Sequence, residues 1–208
     1  MSSSSEDTFE QLIADLRACD IGSTYNFLRD EDLALDREGG AAIRRENLLR
    51  YLESRSDAEV VAIGEAAGYR GARWSGIAFT SERTLASWGA PYAPSSTAPH
   101  GWAEPSATIV HRELGRLEAE ERVLLWNAVP THPHCICLSL TNRRPRKAEV
   151  TTGRVFAERV ISLLNSPSVV AIGRVAEAAL DGKFPYVRHP ANGGAAKFAE
   201  AIQQHLAR

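Results

Sequence analysis

Cysteine is scarce in this 208-residue chain: Cys19, Cys135 and Cys137 are the whole supply, and no C-x-x-C pair occurs. An odd count without such a pair argues against a disulfide framework and fits a reducing compartment. Long apolar runs are missing too. None approaches a membrane span, and residues 1–6 are a short polar leader without the apolar centre of a secretory signal, so a cytoplasmic protein with no membrane partner is expected. Neither G-x-x-x-x-G-K-[ST] nor G-x-G-x-x-G is present, which removes the usual sequence grounds for a phosphate-binding NTPase or a dinucleotide enzyme. A large net charge is also lacking, at −2, with 44% apolar and 24% charged residues. That is the balance of a globular chain with one core of ordinary size. A single domain over residues 1–208 is expected, with 1–58 as a helical part packed on it.

The small net charge hides a division along the chain. Residues 1–60 carry 14 acidic and 7 basic side chains, and residues 61–208 carry 12 and 17. Such polarity can leave one positive face for a polyanion, although a solvated mixed surface accounts for it as well.

What is present centres on residues 60–81, V-V-A-I-G-E-A-A-G-Y-R-G-A-R-W-S-G-I-A-F-T-S. A β-branched apolar run up to Ile63 reads as a buried strand stopped by Gly64. Beyond it, four glycines in thirteen residues let the backbone approach a ligand, and Tyr69, Trp74 and Phe79 offer flat faces beside Glu65. This suits a flat, hydrogen-bonding ligand such as a nucleobase. It suits equally a tight strand-to-helix connection with its rings in the core.

Helical spacing of Phe9, Leu12, Ile13 and Leu16 predicts a helix capped by Asp7 or Thr8, and Ile43, Leu48, Leu49 and Leu52 predict a second over 41–54. After the glycine loop a short helix runs to Trp88, capped by Thr80 or Ser81. The proline-rich stretch 89–105 reads as an ordered excursion or a flap. Then follow a helix over 107–120, a strand over 122–126 ending at Asn127, an irregular stretch 130–146, and a helix over 148–165 with Val155, Phe156, Val160, Ile161 and Leu164 inward. A strand Ser168–Ile172 stopped by Gly173, a helix over 175–180, a strand over 184–187 and a helix over 195–207 complete the chain. Short apolar strands alternating with helices imply an α/β fold, a three-layer α/β/α sandwich with a short central parallel sheet. Ligands of such sheets sit beyond the carboxyl ends of the strands, which puts Glu65, Asn127 and His189 on one rim.

Those three side chains have complementary chemistry. A carboxylate can orient or deprotonate water. An amide can read the edge of a pyrimidine, and an imidazole can donate to an oxygen that gains negative charge. Cleavage of an N-glycosidic bond needs these parts, because the sugar turns oxocarbenium-like while the base leaves as an anion. Each residue has a plainer reading: a Glu after a strand is commonly a loop or helix-end ligand, and His-Pro is commonly a turn. His132, His134, Cys135 and Cys137 are of metal-ligand type, but their H-x-H and C-x-C spacings are unlike common structural zinc sites, and no metal is expected. Arg143, Arg144, Arg146 and Lys147 form a basic run that either clamps phosphates or is solvated.

Taken together, the sequence resembles the uracil-DNA glycosylase superfamily. Gly64-Glu65-Ala66-Ala67-Gly68 is similar to its first motif, and the glycine spacing through Gly71 and Gly76 to Phe79 is similar to the single-strand-selective branch. Leu124-Leu125-Trp126-Asn127 resembles the strand ending in the uracil-pairing Asn, and Arg188-His189-Pro190 the last motif. Thr141-Asn142-Arg143 is similar to a stretch of the iron–sulfur branch. The resemblance implies base excision repair of uracil in DNA, possible action on other deaminated bases, a flipped base and free uracil as product. It assigns catalysis to Glu65 and His189, and uracil binding to Gly64, Ala66, Tyr69, Phe79 and Asn127. DNA contacts fall to Arg143, Arg188, Asn192 and Gly193. Two departures stand out. Ala66 occupies a position where several branches carry Asp or Asn, and three cysteines cannot supply four cluster ligands, so no cofactor is expected. The loop after Pro190 is small and polar and offers no apolar wedge for the base stack.

Overall fold

A computed structural model describes residues 7–165, 167–191 and 193–206. The leader 1–6, Asn192 and Ala207 lie outside them. Thr8 caps the first helix, α1 (Phe9–Ala18), its hydroxyl accepting from the amide of Gln11. A two-residue strand, β1 (Thr24–Tyr25), then leads to α2 (Gly40–Glu53). The buried side of α2 differs from the apolar spacing. Ile43 and Leu49 are only half-buried, whereas Arg44 and Asn47 are buried. Arg44 is tolerated there because its guanidinium is fully bonded, to the carbonyls of Phe27 and Asp30, to Ser95 and to both oxygens of Asp36.

Four parallel strands form the central sheet, in the spatial order Val123–Val129, Val60–Ala66, Ser168–Ile172, Tyr186–Val187. They are β2 (Val60–Ala66), β3 (Val123–Val129), β5 (Ser168–Ile172) and β6 (Tyr186–Val187). Between β3 and β5 a short β4 (His132–Pro133) pairs antiparallel with β1 in a separate ribbon. The first two sheet strands run further than their apolar stretches. Gly64 does not end β2, and Asn127 does not end β3, because the ladder continues through Gly64↔Asn127 to Ala66↔Val129.

From β2 the chain passes through α3 (Ala72–Ser75), α4 (Glu82–Trp88), capped by Ser81, and α5 (Pro105–Arg116) to reach β3. It returns through α6 (Lys147–Ser162) to β5 on the other side of β2, then through α7 (Arg174–Ala179) to β6 and into α8 (Ala195–Leu206). Right-handed crossovers in opposite directions along a sheet place their helices on opposite faces. Accordingly α6 and α7 pack together over β2, β3 and β5, and α5 packs with α8, which reaches β2 and β6. This is an α/β/α sandwich. Val155 is a correction to the expected core: it is 52% exposed, and the inward face of α6 is Glu149, Gly153, Phe156, Ala157 and Val160. The excursion 89–105 is ordered, tied to the N-terminal part by a bridge from Ser96 to Asp36 and to α4 by the amide of Ser96 donating to Glu82.

Candidate active site

Crossovers diverge between β2 and β5, and the crevice at their carboxyl ends is where an open α/β sheet binds ligands. A cavity of about 560 Å³ opens there, its walls including Glu65, Ala66, Gly68, Phe79, Asn127, Gly173 and His189.

The register of the ladder builds its floor. Gly64 and Asn127 lie side by side on adjacent strands, and the ring of Phe79 covers Gly64 so closely that a β-carbon there would stand 2.4 Å from it. The same imaginary atom would be 3.0 Å from Oδ1 of Asn127. A glycine is therefore required for the ring and the amide to share one floor. Phe79 takes a left-handed backbone conformation, φ 50°, unfavourable for a side chain of its size. Asn127 is 5% exposed, and among the described residues its side-chain amide bonds no other group. A largely buried amide that opens unpaired into a cavity is poised for a ligand.

His189 and Glu65 complete the arrangement. The amide of Ala191 donates to Nδ1 of His189 at 3.2 Å, so the neutral ring carries its proton on Nε2. Burial lowers the pKa of this histidine, which favours that neutral donor. Its ring centre is 6.0 Å from that of Phe79. The half-buried carboxyl of Glu65 is pushed up by desolvation, against the pull of the Arg144 guanidinium.

Two further residues on the wall escaped the sequence reading. Glu104 lines the cavity from the end of the proline-rich stretch, its Oε1 accepting from Ser106 at 2.6 Å, and burial raises its pKa. A side chain on Gly71 would collide with this carboxylate. The local signal was Glu-Pro-Ser at a helix start, with Pro105 in the first turn, but nothing in it pointed to the cavity. Arg174 also lines the cavity.

Other expected residues take different places. Tyr69 is not on the cavity wall: its amide donates to Oδ1 of Asn142 at 2.9 Å and its carbonyl accepts from the Trp74 indole, which is itself buried. Arg143 borders the cavity but spends its guanidinium on Glu149, both oxygens, and on the carbonyls of Ser23, His134 and Arg144. It braces the 134–146 segment, and Arg144 is the more exposed cation of the pair. Arg188 is exposed and does not line the cavity, and Gly193 follows it in the turn before α8. Asn192 lies outside the described residues. His132 is buried with Nε2 on the carbonyl of Thr141, while Cys135 and Cys137 are exposed.

Residues 52–204 match the family model of the uracil DNA glycosylase superfamily. The chain belongs to that superfamily. No curated protein matches the sequence. Among solved structures it is similar to wild-type SMUG2 from Pedobacter heparinus, with a TM-score of 0.66 at 13% identity, over 97% of this chain and 99% of the other. At that identity the likeness is one of fold. Superfamily membership supports a glycosidase that acts on DNA, a hydrolase of repair. Among the described residues no helix is long and apolar enough to cross a membrane.

Proposed function

We propose that the protein is a monofunctional glycosylase that hydrolyses the N-glycosidic bond of uracil flipped out of DNA. The observation that carries this reading is the buried residue Asn127, its amide unpaired and open to the cavity on a shared floor with the Phe79 ring, with His189 and Glu65 on the same wall. The cavity volume lies within the roughly 300–1,000 Å³ usual for small-molecule sites.

A base can reach such a crevice only when extruded from the stack. Uracil then lies on Phe79, its N3–H donating to Oδ1 of Asn127 and its O4 accepting from Nδ2. Cytosine presents the opposite polarity at both positions and leaves the amide unpaired. As the bond from N1 to the sugar breaks, its electron pair stays with the base, and the Nε2–H of His189 donates to O2 where charge gathers. Glu65 faces the cationic sugar and orients a water. The water oxygen bonds to C1′ and its proton passes to the carboxylate. Free uracil and abasic DNA are the products, with no enzyme–sugar bond formed. Arg144, Arg188 and the turn around Gly193 are suited to phosphate contacts. Three free thiols suit a cytoplasmic setting.

Ala66 favours a second reading, a nucleotide-binding module, since it brings no polar side chain to the cavity. Oligonucleotides carrying one uracil, single-stranded or opposite A or G, are incubated with purified protein and nicked with alkali. Scission that Glu65→Ala reduces at least tenfold supports the glycosylase. Binding of these oligonucleotides without scission on any of them supports the module.

A further inference from the structure

The function proposed above needs something to hold open the gap left by a flipped nucleotide, and the sequence after Pro190, Ala-Asn-Gly-Gly-Ala, has no large apolar side chain for it. Apolar exposure is concentrated elsewhere. Of the five large hydrophobic side chains exposed among the described residues, three fall within five positions of one loop: Ile136 at 80%, Leu138 at 58% and Leu140 at 37%. Leaving such groups in water forgoes the gain of burial, so a cluster of them points to a contact surface.

This loop belongs to the cavity mouth. It springs from Pro133 and returns at Asn142, Arg143 and Arg144, all on the cavity wall. It is also held rigid. Cys135 bridges Leu138, the Thr141 hydroxyl bonds the carbonyl of Leu138 and the amide of Cys135, and the buried Arg73 donates to the carbonyl of Ser139. Its return side carries the cations Arg144, Arg146 and Lys147, all exposed. A stiff apolar tip beside a base-sized cavity, flanked by cations, has the form of a wedge for the base stack with phosphate contacts at its side.

We infer that the 134–141 loop inserts Ile136 and Leu138 into the DNA duplex at the site of the flipped nucleotide. The occupant is duplex DNA, and the inference rests on the proposed DNA-directed function. Insertion costs unstacking energy, which burial of the two side chains and the neighbouring cations offset. A second copy of the chain is the rival occupant, because Leu33 is also exposed and its neighbour Asp32 shares the Arg73 guanidinium with this loop.

The test needs no catalysis. Full-length protein is titrated into a duplex with one tetrahydrofuran abasic site next to 2-aminopurine, whose fluorescence rises on unstacking. Wild-type protein should raise the signal several-fold, the Ile136→Ala/Leu138→Ala pair should abolish most of the rise, and Ile136→Leu should keep it. Both positions are exposed, and thermal melts confirm that the variants fold. No rise with wild-type protein, or a rise that survives the double substitution, overturns the inference; the latter assigns unstacking to another loop such as 189–194. Dimerisation of wild-type protein lost in the double variant, with fluorescence unchanged, identifies an interface between copies and overturns it too. If wild-type protein unstacks 2-aminopurine through this tip yet releases no uracil, the wedge stands and the uracil reading fails.

Discussion

At the scale of single residues the proposed chemistry rests on two perturbed groups. Burial lowers the pKa of His189 and so favours its neutral form, and Nδ1 is occupied by the Ala191 amide, so its donor is aimed by the backbone. His189→Ala should slow single-turnover base release by about 10²–10³-fold, the usual cost of removing a donor to a developing anion. A full wild-type rate in that variant would remove His189 from the reaction. The acid side of the pH profile tests Glu65. Its carboxyl is raised by burial, so the ionised form is lost, and release slows, at a pH above the ordinary glutamate value of 4.5. Arg144 opposes that shift. Arg144→Ala should therefore move the acid limb of single-turnover release to still higher pH, and an unmoved limb would show that another group controls it.

Secondary-structure elements decide where these residues meet. The amide of Asn127 depends on β3, and β3 is held by α6, which crosses it at Gly153. A β-carbon at that position would lie 2.4 Å from the carbonyl oxygen of Ala128 and 3.0 Å from Cα of Val129. Backbone atoms of a strand hydrogen-bonded into the sheet cannot swing aside as a flexible side chain does. Gly153→Ala adds about 1 kcal/mol of helix propensity, and the forced separation costs about 1–3 kcal/mol. Net destabilisation is expected, with Tm lower by a few degrees in thermal unfolding; a raised Tm would show that the helix contact yields freely. The strands themselves were legible in the sequence, because strands covered on both faces read as continuous apolar runs such as those around Ile63, Leu125 and Val170. Their ends were not. Gly64 and Asn127 look like terminators, yet hydrogen bonding to the neighbouring strand carries the ladder beyond them.

For the molecule as a whole, the N-terminal part and the proline-rich excursion are joined by one buried cation. Arg44 and Asp36 are 0% and 2% exposed at the side chain and 2.7 Å apart, and the same guanidinium reaches Ser95. Removing one member of such a pair leaves a charge without a partner, at a cost of about 3–5 kcal/mol. Arg44→Met should lose stability of that order in urea unfolding, and Arg44→Met/Asp36→Leu should regain a large share. Equal losses in the single and double variants would place the cost in packing rather than in the stranded carboxylate.

By itself the sequence determined the alternation of helices and strands, their order, and the three chemically distinct residues near the carboxyl ends of the first, second and last sheet strands, because apolar periodicity and strand-end chemistry are local properties. Only the tertiary structure brought Glu104 to the cavity wall, removed Tyr69 from it, turned Arg143 into a brace and left Ile136 and Leu138 in solvent. Glu104 and Tyr69 meet partners more than 30 positions away, Gly71 and Asn142; Arg143 joins the nearby Glu149 and His134 to the distant Ser23; Ile136 and Leu138 lack an interior partner. A carboxylate, a guanidinium or an isoleucine has the same character in either setting until the packing around it is known.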